Sequence, residues 1–87
     1  MKSYYHMIIK RGCPFCDMAQ ELAEQEGLLC YVEDATDTPE WLTETKKRYQ
    51  HNTVPIITKV TVADGDVEVS LVGGFTEFKE SLDFEKR

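Results

Sequence analysis

What the chain has little of narrows its class first. Basic residues are in the minority: 10 Lys and Arg stand against 16 Asp and Glu, for a net charge of -6. A field of that sign repels phosphate backbones and anionic surfaces, which removes nucleic acid and membrane from the expected partners. No apolar run approaches the roughly 20 residues of a membrane-spanning helix, and Met7-Ile8-Ile9 is too short for the apolar region of a signal peptide. The chain is therefore expected to be soluble and cytoplasmic. Cysteine is scarce as well. There are three, an odd number, and two are only three positions apart, a pattern foreign to secreted disulfide scaffolds. That spacing points to catalysis or metal binding.

What is present is ordinary globular composition, 41% hydrophobic and 30% charged, over 87 residues, which predicts a single domain spanning residues 1–87 and a monomer. Tyr4–Ile9 reads as a buried strand running into the loop Lys10-Arg11-Gly12. From Pro14 to Glu26 the apolar positions Met18, Ala19, Leu22 and Ala23 repeat at helical spacing, and Gly27 follows as the residue just past the helix. Leu28–Glu33 is a second strand, so the opening implies a parallel crossover. After the polar link Asp34–Thr38, Pro39 can occupy the first turn of a second helix, with Trp41, Leu42, Thr45 and Tyr49 on one face. The stretches Ile56–Val62 and Val67–Val72 flank Ala63-Asp64-Gly65-Asp66, and Asp-Gly is a hairpin signal. Phe75, Phe78 and Leu82 space as a last helix, with Glu77 and Glu80 early and Lys86 and Arg87 late to suit its dipole. The order is βαβ, α, ββα, an α/β class.

Cys13-Pro14-Phe15-Cys16 lies where a strand-ending loop meets a helix. Unpaired N–H groups and the positive end of the helix dipole there favour a thiolate at Cys13, the candidate nucleophile, and Lys10 or Arg11 would add to that if close. Cys16, nearly one turn on, can close a disulfide while less exposed, which suits resolution. Pro14 has no N–H to lose at the first helical position. The rival reading is structural zinc, which needs two more ligands from Cys30, His6 and His51, at spacings that match no common zinc pattern. No metal is expected. Cys30 reads as a small buried hydrophobe, His6 as core packing, His51 as a solvent-exposed loop residue, and Trp41, Tyr49 and Phe78 as core or half-buried packing.

Three blocks, Cys13-Pro14-Phe15-Cys16, Thr53-Val54-Pro55 and Gly73-Gly74-Phe75-Thr76-Glu77-Phe78, resemble the signatures of glutaredoxins in order and spacing, and they span nearly the whole chain. The resemblance implies a thioredoxin-like fold: a four-stranded mixed sheet with flanking helices and an extended β-hairpin. It implies a cis Val54-Pro55 bond facing the cysteines, with the Val54 backbone available to the cysteinyl part of glutathione. It implies that Gly74 lets the backbone approach the ligand, that the N–H groups of Thr76 and Glu77 meet the γ-glutamyl carboxylate, and that the Glu77 side chain holds the ammonium. Lys10 would meet the glycyl carboxylate, and Phe15 would form the aromatic wall beside the sulfur. Glu77 stands where Asp is usual, Phe15 where Tyr is commoner, and the hairpin is longer than usual, so its strands are expected to project beyond the sheet.

The function so implied is reduction of protein disulfides and protein-glutathione mixed disulfides by Cys13 and Cys16, at a potential near about -200 to -230 mV, with glutathione as co-substrate and no permanently bound cofactor. Clients are disulfide-containing or glutathionylated proteins, with ribonucleotide reductase a family-level expectation. Two alternatives stand beside it: an electron donor to ribonucleotide reductase that is itself reduced by thioredoxin reductase, and a carrier of an iron-sulfur cluster ligated by Cys13 and glutathione.

Overall fold

In the computed structural model, which describes residues 2–85, the elements run β1 (Lys2–Ile9), α1 (Pro14–Gln25), β2 (Cys30–Asp34), α2 (Pro39–Tyr49), β3 (Ile56–Ala63), β4 (Asp66–Gly73) and α3 (Phe75–Glu85). The sheet order is β2-β1-β3-β4, with β1 and β2 parallel and the other pairs antiparallel. This is the expected four-stranded mixed sheet. Lys86 and Arg87, expected to complement the α3 dipole, lie outside the described residues.

Side chains alternate across a strand, and here both faces are used. Tyr5 and Met7 of β1 join Ile57 of β3 beneath Ala19 and Ala23 of α1 and Phe78 and Leu82 of α3. Ile8 and Ile56 point the other way, against Ala35 and Leu42. Met7, Ile56, Ile57 and Phe78 are fully buried. Each stabilises the fold by about 1.5–3 kcal/mol relative to exposure. Helix α2 covers only the end of its face near Ile8 and Ile56. His6, expected in the core, lies half-buried in a groove lined by Tyr4, Tyr31 and Tyr49 on that face, its Nε2 3.0 Å from Glu33 Oε1. Trp41 corrects a second expectation: it is 42% exposed, while Leu42 and Thr45 carry the packing of α2.

Local chemistry sets the element ends. Helix α1 closes in a Schellman motif, Leu28 N–H to Ala23 O at 2.9 Å and Gly27 N–H to Glu24 O at 3.0 Å. Asp64 and Gly65 both take positive φ, 51° and 82°, as a two-residue hairpin turn requires. The hairpin is long, but it does not overhang β1 as expected. Lys2 and Ser3 extend that strand, so the pairing continues to Lys2↔Val62 and only the turn and its flanking pair lie beyond it. Among the described residues no helix is long and apolar enough to cross a membrane.

Candidate active site

Cys13 is the N-cap of α1. Its backbone is extended, φ -104° and ψ 107°, and its Sγ accepts a hydrogen bond from the Cys16 N–H at 3.2 Å, the role that Ser or Asp oxygens usually play. Pro14 follows at the first helical position. A thiolate formed at Cys13 would keep that amide donor and the dipole of a 12-residue helix. From the other side the Cys13 thiol donates to the Val54 carbonyl oxygen, 3.7 Å away. The Val54-Pro55 bond is cis.

Cys16 is fully buried, and its thiol is pushed up to about 12, first by burial and then by its hydrogen bond to Cys13. The two thiols are free in this structure. One is half-buried on a helix cap and the other is held protonated beneath it, which divides attack from resolution. Cys30 is half-buried on β2 against the α1 side of the core, and burial pushes its thiol up as well.

Of the two cations preceding Cys13, Arg11 is committed elsewhere. Its guanidinium lies 2.8 Å from Asp37 and 3.6 Å from Asp34, and its N–H donates to the Thr36 hydroxyl at 2.8 Å. Arg11 thus ties the β1–α1 loop to the β2–α2 loop, its charge shared with Asp34 and Asp37. Thr36 returns two hydrogen bonds to Asp34, and these, with Arg11, hold the Asp34 carboxyl below its ordinary value. Lys10 is exposed and makes no ion pair among the described residues, which leaves it available to an anion.

Beside Cys13 a groove of about 250 Å³ runs from Phe15 past Thr53, Val54 and Pro55 to Gly74, Thr76 and Glu77. Every expected ligand-contact residue except Lys10 lines it. Phe15 is 57% exposed and forms one wall. Phe75, expected only as a spacing residue of the last helix, forms the other, its ring centre 6.2 Å from that of Phe15. Val54 lies before β3, past the last ladder pair Ile8↔Ile56, so its backbone faces the groove rather than a strand. At the far end the first-turn amides of α3 have no preceding carbonyls to meet and can hold an anion. The Glu77 carboxylate reaches back to the Gly74 N–H at 2.7 Å, the acidic half of a capping box. Gly73, φ 125°, makes room for it: a Cβ there would meet Glu77 Oε1 at 2.7 Å.

A cap-held thiol, a buried partner thiol one turn on and a peptide-lined groove leading to a helix N-terminus form a site for thiol exchange. The glutaredoxin family model matches residues 4–61, which takes in the cysteine pair and the Thr53-Val54-Pro55 corner. The chain belongs to the glutaredoxin family. It is 28% identical to the glutaredoxin of Brucella melitensis, whose solution structure superposes with a TM-score of 0.71 over 95% of this chain and 82% of that one. A thioredoxin of Trichomonas vaginalis, 13% identical, gives a TM-score of 0.60 over 97% and 78% of the two chains. A thioredoxin of Thermus thermophilus, 18% identical, gives 0.60 over 94% and 69%, so the fold is thioredoxin-like. Comparison with curated proteins finds no match.

As a glutaredoxin the chain is a thiol-disulfide oxidoreductase. One residue of this glutaredoxin's site escaped the sequence reading besides Phe75. His51, expected in solvent, is half-buried beside the groove, its Nε2 3.4 Å from Thr53 Oγ1. Its position two residues before the Thr-Val-Pro block was the available signal. Among the described residues no three His, Cys, Asp or Glu side chains come together as metal ligands.

Proposed function

We propose that the protein is a glutathione-dependent oxidoreductase, reducing protein-glutathione mixed disulfides and protein disulfides through Cys13 with Cys16 as the resolving thiol. The observation that carries this reading is the placement of Cys13 Sγ at the Val54 end of a groove whose other end is the first turn of α3. An extended glutathione can lie along this groove. Its cysteinyl part pairs with the Val54 backbone, its γ-glutamyl carboxylate meets the α3 amides, and its ammonium meets Glu77. Lys10 offers the remaining charge to the glycyl carboxylate.

In the first step the Cys13 thiolate attacks the glutathione sulfur of a mixed disulfide. A new S–S bond forms to Cys13, and the client sulfur leaves as a thiolate that takes up a proton. A second glutathione thiolate then attacks the glutathione sulfur on Cys13, giving oxidised glutathione and free Cys13. For a client disulfide, the Cys16 thiol loses its proton as it attacks Cys13, expelling the client and closing the Cys13–Cys16 disulfide, which two glutathiones later reduce. The deep burial of Cys16 makes the first route the faster one for small substrates.

The test is glutathione-dependent reduction of a small mixed disulfide, with glutathione reductase and NADPH recycling the product. Turnover by the native protein and its loss in Cys13→Ser support the reading. Absence of turnover in the native protein, with activity through thioredoxin reductase instead, would replace glutathione as the reductant.

A further inference from the structure

His51 is placed with more care than a loop residue needs. Helix α2 ends with Gln50 in the left-handed region, φ 53°, and closes by Gln50 N–H to Lys47 O at 3.2 Å and His51 N–H to Lys46 O at 3.0 Å. The backbone of residue 51 is therefore fastened to the helix. From there the imidazole turns toward the N-terminus of α3: Nε2 and Cε1 lie 3.5 and 3.7 Å from the point where a Gly74 Cβ would sit. Glu77 Oε1 lies 3.5 Å from that same point. An imidazole from one loop and a carboxylate from a helix thus both come close to a single spot at Gly74, beside the first-turn amides of α3.

A site with an acceptor on one side and N–H donors on the other matches a group that carries both charges, a free α-amino carboxylate. Glu77 alone could take the ammonium, but it would repel the ligand carboxylate a few ångströms away. A side-chain donor beside Gly74 would offset that repulsion, and His51 Nε2 is as close to that point as Glu77 Oε1, 3.5 Å in each case. We propose that His51 is a positioning residue that donates from Nε2 to the free α-carboxylate of the γ-glutamyl end, exchanging Thr53 Oγ1 for the ligand, and so sets the preference for thiols that carry a γ-glutamyl group. This rests on the glutathione reading and adds to it a side chain that selects that end of the ligand. Because His51 would hold the γ-glutamyl end of the ligand while Cys13 acts on its sulfur, the contribution of His51 falls on binding and not on the exchange of sulfur.

The experiment is single-turnover reduction of a fluorescent peptide carrying either glutathione or cysteinylglycine as a mixed disulfide, the second lacking only the γ-glutamyl residue. Reduced protein is in excess, so no recycling enzyme is required. The native protein is expected to prefer the glutathionyl peptide. In His51→Leu the half-saturating protein concentration for that peptide rises about tenfold, the loss of one hydrogen bond to a charged group, with the limiting rate unchanged. The cysteinylglycine peptide shifts less than about twofold. His51→Gln, which keeps an N–H donor, restores most of the preference. An equal loss for both peptides in His51→Leu makes His51 a structural residue and overturns the proposal, as does an undiminished preference. A native protein that treats the two peptides alike overturns the glutathione reading itself, and the role of His51 with it.

Discussion

Alanine at position 73 would bring a methyl carbon 2.7 Å from Glu77 Oε1 and 2.9 Å from its Cγ, at a backbone φ of 125° that side chains rarely adopt. Two costs follow. The backbone strain is about 1–3 kcal/mol. Displacing Glu77 from the Gly74 N–H removes a helix cap worth about 1 kcal/mol. Gly73→Ala should therefore destabilise by about 2–4 kcal/mol, at roughly 4–8 °C of melting temperature per kcal/mol for a domain of this size. Glu77→Ala should lose only the cap, about 1 kcal/mol. The two changes share one interaction, so a double-mutant cycle by urea denaturation should show Gly73→Ala/Glu77→Ala less destabilised than the sum by about 1 kcal/mol. If the two effects add to within about 0.5 kcal/mol, Glu77 is not the neighbour that requires glycine at 73, and the account of this turn is wrong.

Three further outcomes follow from the same geometry. Cys16 is held protonated up to about 12, and Cys30 and Tyr5 are also raised by burial, so the folded chain keeps protons that the unfolded chain releases above pH ~9. Stability should be full below that pH and fall as pH rises toward 12. Denaturation at pH 8 and 10.5 should show the fall, and a Cys16→Ala slope as steep as the native one would exclude Cys16 as a source. Arg11→Ala removes ion pairs of a side chain 61% exposed, so unfolding free energy should change by less than about 1 kcal/mol. Alkylation of Cys13 by iodoacetamide should keep its rate in that variant, and a large drop would show that Arg11 does act on the sulfur. Cys16→Ser leaves the backbone N–H that caps Cys13, so it should still reduce glutathionylated peptides while losing most activity on insulin disulfides; equal loss on both substrates would contradict the two routes.

What a sequence determines here is what local physics determines. The cysteine pair at the start of a proline-led helix, the Asp64-Gly65 turn and the Gly27 helix stop each depend on neighbours a few residues away. All were readable from spacing and residue type. The three glutaredoxin blocks, far apart in the chain, already pointed to Phe15, Thr53, Val54, Pro55, Gly74, Thr76 and Glu77, which line the groove, but not to Phe75 as its second wall. The edges of elements were less legible, because Lys2 and Ser3 join β1 only through pairing with Thr61 and Val62 from the far end of the chain.

Tertiary structure decided how charges and rings are shared. Arg11 and Lys10 are adjacent cations in sequence, yet the folded loops bring Asp34 and Asp37 to one and leave the other open. His6 read as a core residue and Trp41 as core or half-buried packing, yet the fold leaves His6 half-buried against Glu33 and Trp41 42% exposed on α2. His51 and Phe75 belong to the site because two chain segments more than 20 residues apart meet across Gly74 and beside Phe15. Hydrophobic periodicity carries no record of which distant segment completes a pocket. That is settled by the packing of helices on both sheet faces, which brings the two cysteines, the Thr53-Val54-Pro55 corner and the first turn of α3 to one end of the sheet.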